Sequence, residues 1–182
     1  RKVKETVPRE KLPLLGVAAA FSFLAMMFNV PLPGGTTGHA VGGTLIAILL
    51  GPYAACLSVS VALLIQALFF GDGGILAFGA NSFNMAFALL YGLFRLSRVK
   101  RLISSDIIAA GIGSYVGINV AAFCAAVEFG IQPLLFTDAA GQALYCPYPL
   151  SISIPAMMIG HITIFGLAEV IFTTASWLIS KR

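Results

Sequence analysis

Residues 31–52 of the chain read PLPGGTTGHAVGGTLIAILLGP. The prolines and glycines at its start are typical of a turn, and the run from Ala40 to Leu50 carries no charged residue. His39 stands where the turn meets this apolar run. An ionisable side chain at hydrocarbon depth is costly and indicates a functional position. The alternative is a structural histidine whose ring nitrogens are satisfied by hydrogen bonds.

The composition indicates an integral membrane protein. Of 182 residues, 59% are hydrophobic and 10% are charged, whereas a soluble domain averages about 25% charged residues. The net charge of +4 comes from short basic clusters rather than from a basic surface, so it does not indicate nucleic-acid binding. The three cysteines have no paired spacing, which argues against a disulfide framework or a zinc motif.

The apolar segments predict an all-α fold, a polytopic transmembrane helical bundle that forms a single domain over residues 1–182. About 20 apolar residues are enough for one helix to cross a membrane. Six spans are predicted, at residues 12–30, 36–50, 53–70, 75–94, 107–129 and 153–179. The intervening segments include a loop at 130–149, and Ser153 is a candidate N-cap of the last span, two residues before Pro155.

The predicted helix at residues 36–50 is too short to cross alone. At about 1.5 Å per residue it covers about 22 Å, against about 30 Å of hydrocarbon. Irregular backbone at this depth is tolerated only where it is buried in protein or lines a cavity. We therefore expect the preceding PLPGGTTG segment to dip inward and to place His39 at the helix start, facing a cavity.

The distribution of basic residues predicts the topology. With six spans, residues 1–11, 51–52, 95–106 and 181–182 fall on one side. All 11 Lys and Arg residues lie there, five in residues 1–11, four in residues 95–106 and two in residues 181–182. The positive-inside rule places that side in the cytoplasm. Residues 1–11 are then a basic cytoplasmic linker to the bundle of residues 12–182, both ends are cytoplasmic, and His39 faces outward.

Further polar side chains are candidates for the same cavity. Thr36 and Thr37 shortly precede His39 and carry hydroxyl groups, and Asp72 lies on a neighbouring outer loop. Asn81 and Asn84 are three residues apart and therefore share a helix face. Amides within a membrane also bond across helices as structural contacts. For His161, in the last span, a structural hydrogen bond to Glu169 or to the backbone is the favoured interpretation.

The sequence does not favour an enzyme. It contains no GxxxxGK[ST] phosphate loop, no HExxH and no GxSxG, which are the motifs of common nucleotide-binding and hydrolytic sites. An outward cavity with an imidazole fits a transporter or its binding subunit better, since neutral imidazole suits nickel, copper, zinc and related ions.

Three blocks of sequence resemble the CbiM/NikM family, the substrate-capture (S) components of energy-coupling-factor cobalt and nickel importers. They are VPLPGGTTGHAVGGTLIAILLGP (30–52), ALFFGDGGILAFGANSFNMA (67–86) and PYPLSISIPAMMIGHI (147–162). The resemblance implies capture of Co²⁺ or Ni²⁺ as transported substrate, with no organic cofactor, in a prokaryotic inner membrane. It also implies a transmembrane scaffold (T) subunit and two ATP-binding subunits as partners, with a small accessory membrane subunit as a further candidate.

The resemblance also implies a metal site of which His39 is one ligand. In the family, a Met-His start supplies a terminal amine, a backbone amide and an imidazole, and a histidine of the Gly/Thr-rich loop completes the set. Only the last of these matches a residue here, His39. The family carries one additional N-terminal span, so we expect the chain as given to lack that span and the Met-His start. Such nitrogen sets suit both ions, and binding should weaken at acid pH.

Two other functions remain open from sequence alone. A similar fold could capture a vitamin or another small organic solute, in which case a larger pocket with aromatic side chains is expected. Alternatively, the chain could be a structural membrane subunit in which Asn81 and the other polar residues only hold helices together.

Overall fold

The computed structural model describes residues 2–32, 36–87 and 105–180. In these ranges the chain is a helical bundle with one small hairpin. The helices are α1 (Lys2–Thr6), α2 (Pro13–Met27), α3 (Gly43–Leu50), α4 (Pro52–Ile65), α5 (Phe78–Ser82), α6 (Asp106–Leu135), α7 (Leu150–Gly160) and α8 (Gly166–Ser180). A 3-10 turn at Arg9–Lys11 precedes α2.

Three helices run directly into π-helical turns. Gln66–Phe70 extends α4, Phe83–Phe87 extends α5, and His161–Phe165 joins α7 to α8. A π turn contains one residue more than an α turn, so it rotates the side chains that follow it, and such turns are frequent at functional sites.

The helical membrane bundle predicted from sequence is confirmed, whereas the number of spans is not. Four described segments are long and apolar enough to cross a membrane: Arg9–Met27, Pro52–Phe70, Asp106–Leu135 and Leu150–Ile179. The predicted span 75–94 is seen only as helix from Phe78 to Phe87. Its remainder and nearly all of the predicted basic loop lie outside the described residues.

The prediction of a helix over residues 36–50 is wrong at its start. Residues Thr36–Gly38 form strand β2, which pairs antiparallel with strand β1 (Val30–Leu32). The helix begins only at Gly43, after a segment of residues 39–42 that we call the His39 loop. Gly42 has a φ of 69°, in the left-handed region that a helix cannot propagate through. His39 therefore lies in a loop, four residues before the helix.

The helix boundaries around residues 130–149 also differ from the prediction. Helix α6 continues through Pro133 to Leu135, so only residues 136–149 are a loop between helices. Ser153 is not the N-cap of the last span, because α7 begins at Leu150 with Pro149 at that position. The Ser153 hydroxyl instead donates to the Ala126 carbonyl, 2.8 Å away, and joins α7 to α6.

Small residues let the helices approach closely where α6 crosses α7. A Cβ atom at Gly130 would lie 2.8 Å from the Cα of Leu150, a backbone atom that cannot rotate away. Gly16 in α2 is the opposite case, since a Cβ there would meet nothing within 4 Å.

One buried carboxylate ties α8 to the His39 loop. Glu169 is fully buried, and its Oε2 accepts the backbone N–H of Val41 at 3.0 Å while Oε1 accepts that of Gly42 at 3.2 Å. The Val41 carbonyl accepts from the Ser22 hydroxyl of α2, 2.8 Å away. The loop is therefore held by helices from both ends of the chain.

Replacing Glu169 by Ala should destabilise the fold. Each buried N–H left without an acceptor costs about 1–3 kcal/mol, so loss of both bonds should lower stability by about 2 kcal/mol or more. The midpoint of thermal unfolding in detergent measures the effect. Glu10 is exposed in the 3-10 turn, and Glu10→Ala is the control, expected within about 0.5 kcal/mol of wild type. Equal midpoints for the two variants would contradict the anchoring role.

Gly130→Ala and Gly16→Ala should shift stability in opposite directions. Alanine is favoured over glycine inside a helix by about 1 kcal/mol, so Gly16→Ala should be neutral or stabilising. At Gly130 the new methyl group must push α6 and α7 apart, and such overpacking costs about 1–3 kcal/mol. The same thermal measurement tests this, and a Gly130→Ala protein as stable as Gly16→Ala would show that the crossing is looser than described.

Candidate functional site

A small cavity of about 70 Å³ lies beside the His39 loop. Its walls come from β2, the loop, the α5 region, α6 and the end of α7. The lining residues are Thr37, Gly38, His39, Val41, Asn81, Asn84, Met85, Ile118, Ala121, Ala122, Ala125, Met157 and His161. Most are apolar, so the few polar side chains determine what the cavity can bind.

His39 is a half-buried residue on the wall of this cavity. Its Nδ1 is 3.3 Å from the Ala40 carbonyl oxygen. The neutral form of an imidazole ring is the form that coordinates metal ions.

Two glycines shape the backbone on either side of His39. A Cβ at Gly38 would overlap the ring of Phe165 in the π turn after α7. A Cβ at Gly42 would lie 2.7 Å from the ring of Phe21, which stacks on Phe172 with ring centroids 5.2 Å apart. Together with the hydrogen bonds of Glu169, these close contacts restrict the backbone conformation of the His39 loop.

The structure brings together most of the pocket residues predicted from sequence. Thr37, Asn81 and Asn84 line the cavity with His39. Thr36 lies in β2, with its main chain opposite Leu32, but its side chain is outside the described part of the structure. Asp72 is exposed and does not line the cavity, yet it is close enough for its charge to act on His39.

The two asparagines have different partners. Asn81 Nδ2 donates to the Gly73 carbonyl at 3.3 Å and so holds the loop after α4. Asn84 is buried, and its Nδ2 donates to Glu128 Oε2 of α6 at 2.7 Å. Asn84 Oδ1 is buried and has no hydrogen-bond partner among the described residues. Asn84 thus combines a cross-helix contact with an unsatisfied acceptor at the cavity.

His161 was not predicted as a cavity residue. The expected hydrogen bond to the backbone is present, since Nδ1 lies 2.8 Å from the Met157 carbonyl. Glu169, the other candidate partner, bonds the His39 loop instead. His161 is nevertheless on the cavity wall and close enough to His39 to act on it electrostatically. The only sequence signal was its place at the end of the 147–162 block.

The protonation of His161 follows from its hydrogen bond. A carbonyl oxygen only accepts, so Nδ1 must carry the proton, and the neutral ring then has its lone pair on Nε2. The ring begins the π turn His161–Phe165 and lies 5.2 Å from the Phe165 ring. The Ile162 carbonyl of this turn accepts from the Tyr115 hydroxyl at 2.9 Å.

His, Cys, Asp and Glu residues do not form a ready metal cluster in the described ranges. No group of three or more of them that could hold an ion occurs within residues 2–32, 36–87 and 105–180. The described cavity offers two imidazoles and amide groups instead.

A second, larger cavity of about 350 Å³ lies near the end of α6. It is lined by Phe129, Gln132, Tyr145, Cys146, Pro147, Tyr148, Ile152, Ser153, Ala156 and Met157. Met157 lines both cavities. Neither histidine nor a carboxylate occurs among the described residues that line the larger one.

Relatives with known names share both sequence and fold. A protein named as a probable fused nickel transport protein LarMN, from Lactiplantibacillus plantarum, is 51% identical over 100% of this chain and 56% of its own length. The fused nickel transport protein NikMN of Rhodobacter capsulatus is 54% identical over 98% of this chain and 53% of its own. The chain therefore spans about half the length of these two relatives.

Solved structures agree with this assignment. The crystal structure of a truncated transition metal transporter superposes with a TM-score of 0.92 at 48% identity, covering 100% of this chain and 86% of that one. The family described as the cobalt uptake substrate-specific transmembrane region, CbiM, matches residues 1–181. The resemblance seen in the sequence is confirmed, and the chain belongs to the CbiM family of cobalt and nickel transport proteins.

Proposed function

We propose that this chain is the metal-capture component of an ATP-driven cobalt or nickel importer and that His39 is a ligand of the captured ion. One observation carries the proposal. In a member of a cobalt-uptake family, the histidine of the Gly/Thr-rich segment lines a small cavity together with Asn81 and Asn84.

The size of the cavity supports an ion as the substrate. The cavity measures about 70 Å³, which is enough to hold a small hydrated ion. Pockets for organic ligands usually measure about 300–1,000 Å³. The chemistry agrees with the size, because neutral imidazole is a good donor for both Co²⁺ and Ni²⁺.

Further donors would complete the coordination of the ion. His39 alone does not make a transition-metal site. Under this proposal an amine, an amide and a second imidazole, the donors that the family's Met-His start supplies, complete the coordination. The role of the described fold is then to hold the His39 loop rigid, through Glu169 and Ser22, so that the arriving donors meet a fixed ring.

The orientation and partners proposed here follow from the charge pattern and the resemblance. All 11 Lys and Arg residues lie in the predicted cytoplasmic segments, which places both ends of the chain inside and the His39 cavity toward the outside of a prokaryotic inner membrane. The chain itself carries no phosphate-binding loop. ATP hydrolysis would be performed by two partner subunits, coupled through a transmembrane scaffold subunit, with a small accessory membrane subunit as a further candidate.

The larger cavity bears on the vitamin-capture alternative. Its volume of about 350 Å³ and its lining residues Phe129, Tyr145 and Tyr148 meet the dimensions of a small organic ligand site. It does not include His39, so a solute bound there would not depend on that imidazole. The two functions can therefore be separated by experiment.

His39→Ala should abolish metal capture by the full-length protein. Removing a residue that hydrogen-bonds a metal ligand already lowers metal affinity by about 10- to 100-fold. Removing the ligand itself should therefore lower it by at least about 100-fold. Calorimetric titration of the purified protein with Co²⁺ and with Ni²⁺ measures the affinity. Thr163→Ala, an exposed position off the cavity, is the control and should bind as wild type does. Unchanged affinity in His39→Ala would refute the assignment.

Chelators should distinguish ion capture from solute capture. In cells that express the full-length protein with its partner subunits, a membrane-impermeant metal chelator in the medium should stop accumulation of cobalt and nickel, because the importer takes the free ion. Binding of an organic solute at the larger cavity should be indifferent to the chelator. If no metal accumulates even without chelator, while an organic solute does, the alternative function is the correct one.

A further inference from the structure

The loops on the proposed outer side of the protein carry carboxylates and no basic residue. In the orientation proposed above, the loops with Asp72 and Asp138 face outward, whereas all 11 Lys and Arg residues lie in the cytoplasmic segments. A surface that bears one sign of charge raises the local concentration of the opposite ion and, in strong cases, its association rate by about 10- to 1,000-fold. The sign of charge on this side is the one that attracts a divalent cation.

One of these carboxylates, that of Asp72, belongs to a loop that is bonded to the wall of the His39 cavity. Residues 71–74, which we call the Asp72 loop, directly follow the π turn at the end of α4. The Asp72 N–H donates to the Gln66 carbonyl at 3.2 Å. The next carbonyl along the chain, that of Gly73, accepts from Asn81 Nδ2 at 3.3 Å, and Asn81 lines the cavity. The loop is therefore bonded on both sides of the Asp72 side chain.

Gly73 permits the close approach of the Asp72 loop to Asn81. Its φ is 70°, in the left-handed region that glycine adopts without strain. A Cβ atom at this position would lie 2.5 Å from Asn81 Nδ2, so a residue with a side chain would have to break the contact. The backbone thus sets where Asp72 lies relative to the cavity wall.

Asp72 is placed to act on an ion through its charge and not through coordination. Its side chain is exposed and does not line the cavity, so it is not among the groups that would contact an ion there. Its charge is nevertheless close enough to act on His39, and exposed charges interact over about 8 Å at physiological ionic strength. An ion that arrives at the His39 ring therefore comes within reach of the Asp72 charge.

We propose that Asp72 attracts the hydrated divalent cation toward the His39 cavity and so sets the rate at which the ion is captured. This inference rests on the proposed function and adds no ligand to the metal site. A charge at the rim of a site changes mainly the association rate and its dependence on salt. The loss of a direct contact, by contrast, changes mainly the dissociation rate.

Asp72→Asn in the full-length protein tests this inference, because it removes the charge and keeps the shape of the side chain. At about 20 mM ionic strength the association rate constant for Co²⁺ should fall about threefold. At about 0.5 M the variant and the wild type should capture Co²⁺ equally fast, because salt screens exposed charges. The dissociation rate should change by less than about 1.5-fold.

Stopped-flow mixing measures both rates in nanodiscs of zwitterionic phosphatidylcholine, which add no net lipid charge. A dye that reports free Co²⁺ follows the uptake of the ion by the protein, which gives the association rate. An excess of the same dye takes up the released ion, which gives the dissociation rate.

Two further variants are the controls. Asp138→Asn removes an equal charge from another outer loop, and the asparagine oxygen can keep the bonds from the Ala140 and Gln142 N–H groups at 2.9 and 2.8 Å. Among the described residues, Asp138 is not one of the charged groups that act on His39. Asp72→Glu keeps the charge in the Asp72 loop. Both variants should associate with Co²⁺ within about 1.5-fold of the wild-type rate.

Four results would each overturn the inference. The first is a wild-type association rate in Asp72→Asn at low ionic strength. The second is an equal fall in Asp138→Asn, which would assign the effect to net charge. The third is a loss that Asp72→Glu does not restore, which would assign the effect to the structure of the loop. The fourth is faster dissociation with unchanged association, which would make Asp72 part of the binding site itself.

The variant His39→Ala separates this inference from the proposed function. If wild type binds Co²⁺, His39→Ala does not, and Asp72→Asn captures the ion as fast as wild type at low ionic strength, the metal-capture function stands and the role of Asp72 fails. If the wild-type protein binds neither Co²⁺ nor Ni²⁺, both fail.

Discussion

The architecture around the cavity depends on the Glu169 carboxylate and the two backbone N–H groups that it accepts. Burying a carboxyl group is costly unless hydrogen bonds replace its hydration, and the Glu169 oxygens accept the N–H groups of Val41 and Gly42 at 3.0 and 3.2 Å. The same bonds satisfy two donors of an irregular segment, which hydrocarbon would leave unpaired. One side chain of α8 thereby stabilises the backbone that carries His39.

The backbone polar groups of Val41 and Gly42 in the His39 loop are satisfied by other protein groups, as non-helical backbone in a membrane protein requires. The strand pair of Val30–Leu32 with Thr36–Gly38 supplies main-chain partners before it. Within the loop, the Val41 carbonyl accepts from the Ser22 hydroxyl of α2, and Gly42, with its left-handed backbone, is the last loop residue before α3. These bonds fix the main chain that follows His39.

The local part of this arrangement was predictable from sequence, and the long-range part was not. Composition and the lengths of the apolar segments predicted the helical bundle. The short apolar run after His39 predicted that this residue faces a cavity, and the three-residue spacing predicted that Asn81 and Asn84 share a helix face. All three residues line the cavity. Glu169 bonds Val41 and Gly42, which lie 128 and 127 positions away from it in the sequence. No local sequence pattern encodes such a pairing. The start of α3 was misjudged for a related reason, because apolar residues continue across Gly42 while its backbone conformation interrupts the helix.

The π turn His161–Phe165 makes two contacts that shape the cavity. Its first residue lines the cavity, and its last places an aromatic ring against Gly38 of β2, where any larger residue would collide. The Tyr115 hydroxyl of α6 donates to the Ile162 carbonyl of the turn at 2.9 Å. Gly166 has no side chain, so the Tyr115 ring can approach the turn closely. The turn therefore sets the position of the hairpin that leads to His39 and the orientation of His161 together. A regular α-helix here would rotate one of these two side chains away from its contact, so the distortion is maintained by packing on both sides.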